Sequence, residues 1–358
     1  SCDHVCPGEV KDRPILLHVH PGASSFVVKD RRLLSAAFDV RDAPFIWRHK
    51  WQVPLLMVAQ AFRLLFCRWN AAVVQFGGYH ALIPAIAARM TGRTCIIIAG
   101  GTDCVSFPSL GYGNFARQPL AWATRRAYAL AHAILPVHSS LIKSINFFQL
   151  NDPPEQGILA HMPELRTRIM TVPNGYSGSD WSLGKGPRDI DVISVASGAQ
   201  RPSTLFLKGI DLLIEAARSR PHLRFMVIGL HAATSIRVPP NLTIHGPVPN
   251  TTLLGYYQRA KVYAQLSISE GFPNALCEAM LCGCVPVVSA VGAMPDIVGD
   301  CGRIVERRDL SLVLQALDDL VPQANMHKAH KARSRITDSY SEERRAQELI
   351  AAIMGNLH

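Results

Sequence analysis

Short runs of apolar, β-branched residues alternate with longer stretches of helical period along almost the whole chain. Ile15–His20 (ILLHVH), Ala71–Phe76 (AAVVQF), Cys95–Gly101 (CIIIAGG) and His132–Val137 (HAILPV) read as buried strands, because they are apolar on both faces and too short for buried helices. Helical patterns are predicted over Lys29–Phe38, Ala81–Met90 and Leu120–Ala131, and Arg168–Gly175 closes this half with a further strand. The stretch YSGSDWSLGKGPRD that follows is polar, glycine-rich and without apolar period, as a linker would be. The alternation then restarts: strands over Asp191–Ser197, Leu223–Gly229, Asn241–Gly246, Lys261–Ser267 and Val285–Ala290, a helix over Lys208–Ala217, and a charged helical end whose last helix covers Ser341–Ile353. Strand–helix alternation broken once by a linker predicts an α/β chain of two Rossmann-like parallel-sheet domains, facing each other across a cleft at the carboxyl ends of their strands. The expected divisions are 1–175, a linker at 176–188, a second domain over 189–340, and a final helix at 341–358 that crosses back to the first domain.

Length agrees with that count, since 358 residues suit two domains of ordinary size. Charge adds a direction. Lys plus Arg number 37 against 27 Asp plus Glu, a net +10 that favours anionic partners. The basic residues are dispersed and follow no groove-reading motif, so nucleic acid is not an expected partner. Nine cysteines, odd in number and without a CxxC pair, read as buried thiols of a reduced compartment. The first ten residues lack the basic start and apolar core of a signal peptide, and the longest uncharged stretch, between Arg68 and Arg89, is interrupted by Gln75, Gly77, Gly78, His80 and Pro84. A cytoplasmic protein that does not span a membrane is expected.

The segment with most chemistry runs from Ser267 to Val298. A strand enters a loop carrying Glu270, Gly271-Phe272-Pro273 turns into a helix, and Pro273 suits its first position, where a missing N–H is no loss. The free amides of Asn274 and Ala275 then stand at the positive end of the helix dipole, a seat for phosphate or a polyhydroxylated ligand. Glu278 lies eight residues beyond Glu270, so the two carboxylates face one ligand from different heights.

These residues resemble a known family. Glu270 and Glu278 form the E-x7-E arrangement of retaining GT-B glycosyltransferases of family 4 (group 1), and EGFPNALCEAMLCGCVPVVSA looks like that family's donor-site signature. DVISVAS…LKGIDLLIEA resembles the first strand and helix of its donor domain, TVPNGY the end of its acceptor domain, HPGASSFVVKDRRLLSAAFDV its first loop and helix, and GGTD (Gly100–Asp103) its acceptor-side loop. The resemblance implies that Glu278 binds the ribose hydroxyls of a nucleotide sugar, that Glu270 contacts the transferred sugar, and that Lys208 neutralises the diphosphate. It also implies that the amides around Gly271, Phe272, Asn274 and Ala275 hold sugar or phosphate. Gly22 would let the first loop approach the phosphates. Two departures stand out. The phosphate-binding Arg usually found after the first donor-domain strand is displaced, with Arg201 as the candidate replacement, and Gly100 occupies the place of the usual acceptor-side His, leaving Asp103 as base or hydroxyl partner.

The implied reaction moves a sugar from a nucleotide-sugar donor to a hydroxyl acceptor, a glycan or lipid-linked saccharide of surface polysaccharide or glycolipid synthesis, with retention and without cofactor or metal. Asp189-Ile190-Asp191 resembles a metal-binding DxD but precedes a strand instead of closing one, so it is read as a strand-entry turn. The departures leave open a catalytically silent protein that binds nucleotide sugar or glycan, and an epimerase or phosphorylase on the same fold. Trp47–Trp69 mixes Arg48, Lys50, Arg63 and Arg68 with five aromatic residues. Such a stretch forms either an amphipathic helix packed on the sheet with its basic residues solvated, the reading favoured by its apolar stripe, or an interfacial helix in peripheral contact with anionic lipid on the inner face of the membrane.

Overall fold

The computed structural model describes residues 13–149, 151–196, 202–230 and 237–357. The first half runs β1 (Ile15–His20), α1 (Ser25–Leu34), β2 (Asp39–Pro44), α2 (Gln52–Phe66), β3 (Ala71–Gln75), α3 (Tyr79–Thr91), β4 (Thr94–Ala99), α4 (Leu120–Leu130), β5 (Ala133–Pro136), a small antiparallel pair β6 (Ser144–Ile145) and β7 (Glu155–Gln156), α5 (Ile158–His161) and β8 (Arg168–Ile169). Its main sheet has the order β2-β1-β3-β4-β5-β8, every pair parallel. The second half runs β9 (Ile190–Val195), α6 (Pro202–Leu207), α7 (Ile210–Ser219), β10 (Phe225–Ile228), β11 (Leu242–His245), α8 (Asn250–Arg259), β12 (Ala260–Gln265), α9 (Asn274–Leu281), β13 (Val285–Ser289), α10 (Met294–Val298), β14 (Arg303–Val305), α11 (Leu310–Leu320), α12 (Met326–Ser339) and α13 (Glu342–Met354). Its sheet, β11-β10-β9-β12-β13-β14, is again parallel throughout. The expected two-sheet α/β architecture is present.

The central strands β3, β4 and β13 are buried at every position, as strands covered by helices on both faces must be. Several elements differ from the sequence pattern, among them the short edge strand β14, which it did not predict. β2 was not anticipated because DVRDAP is an edge strand, polar where it meets solvent. The helix expected over Lys208–Ala217 is α7, which starts two residues later at Ile210, and an unanticipated α6 precedes it: Gly209, at φ +68°, lets the chain turn between them, and a Cβ there would lie 2.1 Å from the carbonyl oxygen of Leu266. Of the strand expected over Arg168–Gly175 only Arg168–Ile169 pairs.

The linker segment is anchored at several points. Tyr176 is buried and donates its amide to the Tyr340 carbonyl, while Trp181 packs against Tyr257. Arg333 of α12 donates to the carbonyls of Gly178, Trp181 and Leu281. The last helix, α13, lies on α1 of the first lobe, where Arg345 grips Asp30 through two 2.6 Å bonds. Asp191 receives Lys261 at 2.7 Å and Asp189 receives Arg259, both at the entry of β9, away from the strand ends that carry the cleft. Of the described cysteines only Cys67 is exposed; Cys2 and Cys6 lie outside the described residues.

Candidate active site

A cleft of about 730 Å³ opens between the lobes, lined by the loops after β1, β3 and β4 on one side and by Lys208, Glu270 and the start of α9 on the other. The volume suits a small-molecule site. Its floor is a contact of backbone on backbone. A Cβ on Gly271 would lie 2.0 Å from the Gly100 carbonyl oxygen, and one on Gly101 would lie 3.2 Å from the Gly271 nitrogen. Only residues without side chains let the two loops meet this closely.

Glu270 sits in the loop after β12. Its Oε1 accepts from Lys208 Nζ (2.7 Å), Ser267 Oγ (2.8 Å) and Gln265 Nε2 (2.9 Å), so the carboxylate is held by the strand it follows and by the turn between α6 and α7. Burial works against the Lys208 charge, but the Glu270 carboxylate outweighs it and lifts the ammonium above its ordinary pKa. Lys208 is therefore a fixed cation in the cleft.

Glu278 stands on α9 beyond Glu270. Burial pushes its carboxyl up to about 7, opposed by the Lys29 ammonium reaching across from α1. Lys29 itself is lowered by burial, donates to the Gly175 carbonyl at 2.9 Å and lies over the Tyr176 ring. Glu270 and Glu278 thus share a cleft but not an environment. The first is a carboxylate with three donors; the second titrates near neutrality.

The α9 helix begins one residue later than its sequence suggests: Pro273 is the N-cap, with φ −75° and ψ 115°. Asn274 and Ala275 then carry amides of the first turn, and both residues line the cleft. The Asn274 side chain is engaged, its Oδ1 accepting from Tyr176 Oη at 2.7 Å. Phe272 is buried among Tyr340, Tyr176 and His138, an aromatic wedge at the junction of the lobes. His138 donates from Nε2 to Asp296 of α10 at 3.0 Å, since its Nδ1 accepts from the Ser140 amide.

On the opposite wall Asp103 is buried, and its oxygens accept from the amides of Gly77 (2.8 Å), Gly100 (3.1 Å) and Gly101 (2.9 Å) and from Tyr128 Oη (2.8 Å). This carboxylate is filled by donors that tie together the loops after β3 and β4, so its visible role is to shape the wall. Gly22 does not line the cleft, and a Cβ there would meet open space; Pro21, Ser25 and Phe26 take that position instead. Arg201 lies outside the described residues. His80 also lines this wall, donating from Nε2 to the Gln75 carbonyl, and burial lowers its pKa so that the ring is neutral.

The sequence pattern did not single out Lys29, Tyr112, Tyr176 or Arg345. Tyr112 Oη bonds Thr102 at 2.9 Å, and burial raises its pKa near Lys208 and Glu270. One cluster among the described residues has donors close enough for a metal ion: His18, His20 and Asp42, with ligand atoms within 4.8 Å of one another. None of the three lines the cleft. His20 Nε2 is already 3.0 Å from Asp42, and His18, its pKa lowered to about 4 by burial, adjoins Gln75.

Residues 197–323 match the family described as glycosyl transferases group 1, about a third of the chain. Over 175 residues the chain is 29% identical to a D-inositol 3-phosphate glycosyltransferase of Mycobacterium sp. (strain JLS), covering 44% of this chain and 38% of that protein. Over 78 residues it is 36% identical to the O-antigen chain mannosyltransferase B of Escherichia coli, covering 21% and 20%. The match thus spans well under half the length of these relatives. In three dimensions the chain is similar to sucrose-phosphate synthase from Thermosynechococcus elongatus (TM-score 0.69, 13% identity, 96% and 99% covered) and to Anabaena HepE in complex with UDP-glucose (TM-score 0.68, 13% identity, 96% and 100% covered). Structural likeness at such identity speaks for fold alone. Residues 197–323 thus match the glycosyl transferases group 1 family, within a chain of GT-B fold.

Proposed function

We propose that this chain is a metal-independent retaining glycosyltransferase of the family 4 type, moving a hexosyl group from a nucleotide-sugar donor to a hydroxyl of a glycan or lipid-linked acceptor. One observation carries the reading: the Lys208–Glu270 pair, 2.7 Å apart, lies beside the first amides of α9 with Glu278 on the same helix, all facing one cleft. In this reading Glu278 accepts the ribose hydroxyls, and the amides of Asn274 and Ala275 hold the diphosphate or the sugar at the positive end of the helix. Breaking the bond from the anomeric carbon to the diphosphate leaves negative charge on the departing oxygen and positive character on the sugar. Lys208 and the helix amides stabilise the former, and Glu270 lies against the latter. Fixed protein charges meet charge where it develops, so no metal is called for. The name of a similar solved protein in complex with UDP-glucose agrees with a nucleotide-sugar donor.

The test is transfer and donor hydrolysis across a nucleotide-sugar panel, with the anomeric configuration of the product read by NMR. Glu270→Gln and Lys208→Ala each lower turnover by about a hundredfold or more, the scale for losing one preorganised electrostatic contact. Wild-type turnover in both variants removes the assigned roles, and an inverted product removes retention. The filled carboxylate of Asp103 favours a second reading, a protein that binds nucleotide sugar without transferring it. Calorimetric donor binding with no turnover on any acceptor selects that one.

A further inference from the structure

From the surface of α2 we infer that this helix is a membrane-docking element, which seats the first lobe on an anionic lipid bilayer. The inference stands on that surface and not on the proposed chemistry. Only Val53 and Leu64 of the helix are buried. Its outward stripe is apolar: Trp51, Leu55, Val58, Phe62, Leu65 and Phe66 recur three or four residues apart and are 55% to 80% exposed. A helix packed on its sheet turns such a stripe inward; this one carries a second stripe that none of the described residues covers.

Charge selects the occupant. From Ala43 to Thr102 the chain has no Asp or Glu, while Arg48, Lys50, Arg63, Arg68, Arg89 and Arg93 supply six cations. Arg48, Lys50, Arg63 and Arg68 are exposed and flank the two ends of the helix. Apolar side chains framed by cations, with tryptophan at the entry, match the acyl boundary and headgroup layer of an acidic bilayer. At 15 residues the helix is about 22 Å long and too short to cross a bilayer, and no helix among the described residues is long and apolar enough to do so. It therefore lies in the interface plane. Trp47, four residues before Trp51, lines the cleft, so a bilayer under α2 borders the cleft wall on the first lobe.

Vesicle co-sedimentation of the full chain tests this directly. Vesicles of phosphatidylcholine with 30 mol% (about a third) phosphatidylglycerol are compared with phosphatidylcholine alone, at low and high salt. The expected result is binding to the acidic vesicles at least about tenfold tighter than to the neutral ones, weakening with salt. A Trp51→Ser/Phe62→Ser/Phe66→Ser variant, whose substitutions replace exposed side chains, keeps the wild-type melting curve and donor binding but loses at least about tenfold in vesicle affinity. The inference is overturned if wild type binds neither vesicle, or if wild type and variant partition equally. It is also overturned if the stripe instead mediates self-association, seen as wild-type dimers that the variant abolishes while vesicle binding is absent. Because the readout is lipid binding, failure leaves glycosyl transfer untouched, and a silent enzyme leaves the docking result untouched.

Discussion

Glu278 illustrates how one buried carboxyl can be costly to the fold and useful to the site. Its folded pKa, about 7, lies above the ordinary value of 4.5, so between these two values the folded chain keeps a proton that the unfolded chain releases. Stability therefore falls as pH rises through that window, and the whole cost is present above it. Glu278→Gln removes an ionisation that burial disfavours, and is expected to raise stability at pH 8 by about 1–3 kcal/mol, a range reduced for partial solvent access. If Glu278 holds the donor's ribose as proposed, the same group gives donor binding the opposite pH dependence. An ionised carboxylate accepts both hydroxyls of a ribose diol, whereas a protonated one accepts less well. Donor affinity of wild type is expected to rise about tenfold between pH 6 and pH 8, following the ionised fraction of a group with pKa near 7. In the glutamine variant affinity is lower and flat. Calorimetry and thermal melts at both pH values check the pair of outcomes, and a variant that is less stable at pH 8 or keeps the wild-type affinity profile contradicts this account.

Elements explain which parts of the site were legible before the structure. Glu270, Gly271, Asn274, Ala275 and Glu278 lie within nine consecutive residues, so strand, turn and helix-start signals sufficed to put them on one loop and one helix. Both parallel sheets were likewise written in local apolar runs, except at the edge strands β2 and β14, which are short or polar where solvent replaces a packed face. Asp103 was a different case. Its residue type and its place after a central strand suggest acceptor chemistry, but its role depends on which backbone amides converge on it, and two of its partners, Gly77 and Tyr128, are more than twenty residues away. Backbone partners leave no mark in a sequence. If Asp103 organises the wall, Asp103→Asn puts an amide donor against N–H groups and lowers stability by about 1–3 kcal/mol, while folded protein at reduced temperature keeps most of its turnover. A variant that melts like wild type but loses turnover a hundredfold would instead make Asp103 an acceptor-side catalytic residue.

At the scale of the whole molecule, the two lobes are joined by more than the chain that connects them. α13 is the last helix of the described residues but packs on α1, where all three guanidinium nitrogens of Arg345 donate: two bonds to Asp30 and two to the carbonyls of Val172 and Pro173, just before the linker. Asp30 in turn accepts from Gln75, which lines the cleft, so this buried pair connects the last helix, the exit of the first lobe and the wall of the cleft. Both side chains are almost fully buried, and a buried charge is tolerable only while its partner is present. Arg345→Met leaves Asp30 uncompensated and is expected to destabilise the chain by about 3–5 kcal/mol. Asp30→Leu alone strands the guanidinium in the same way. Replacing both removes the desolvated charges together, so the double variant should recover much of the lost stability, giving a coupling of several kcal/mol in a double-mutant cycle. Such a cycle separates an electrostatic pair from mere packing: additive losses would mean that Arg345 acts through its aliphatic stem, and that α13 stays on the first lobe without the charge pair.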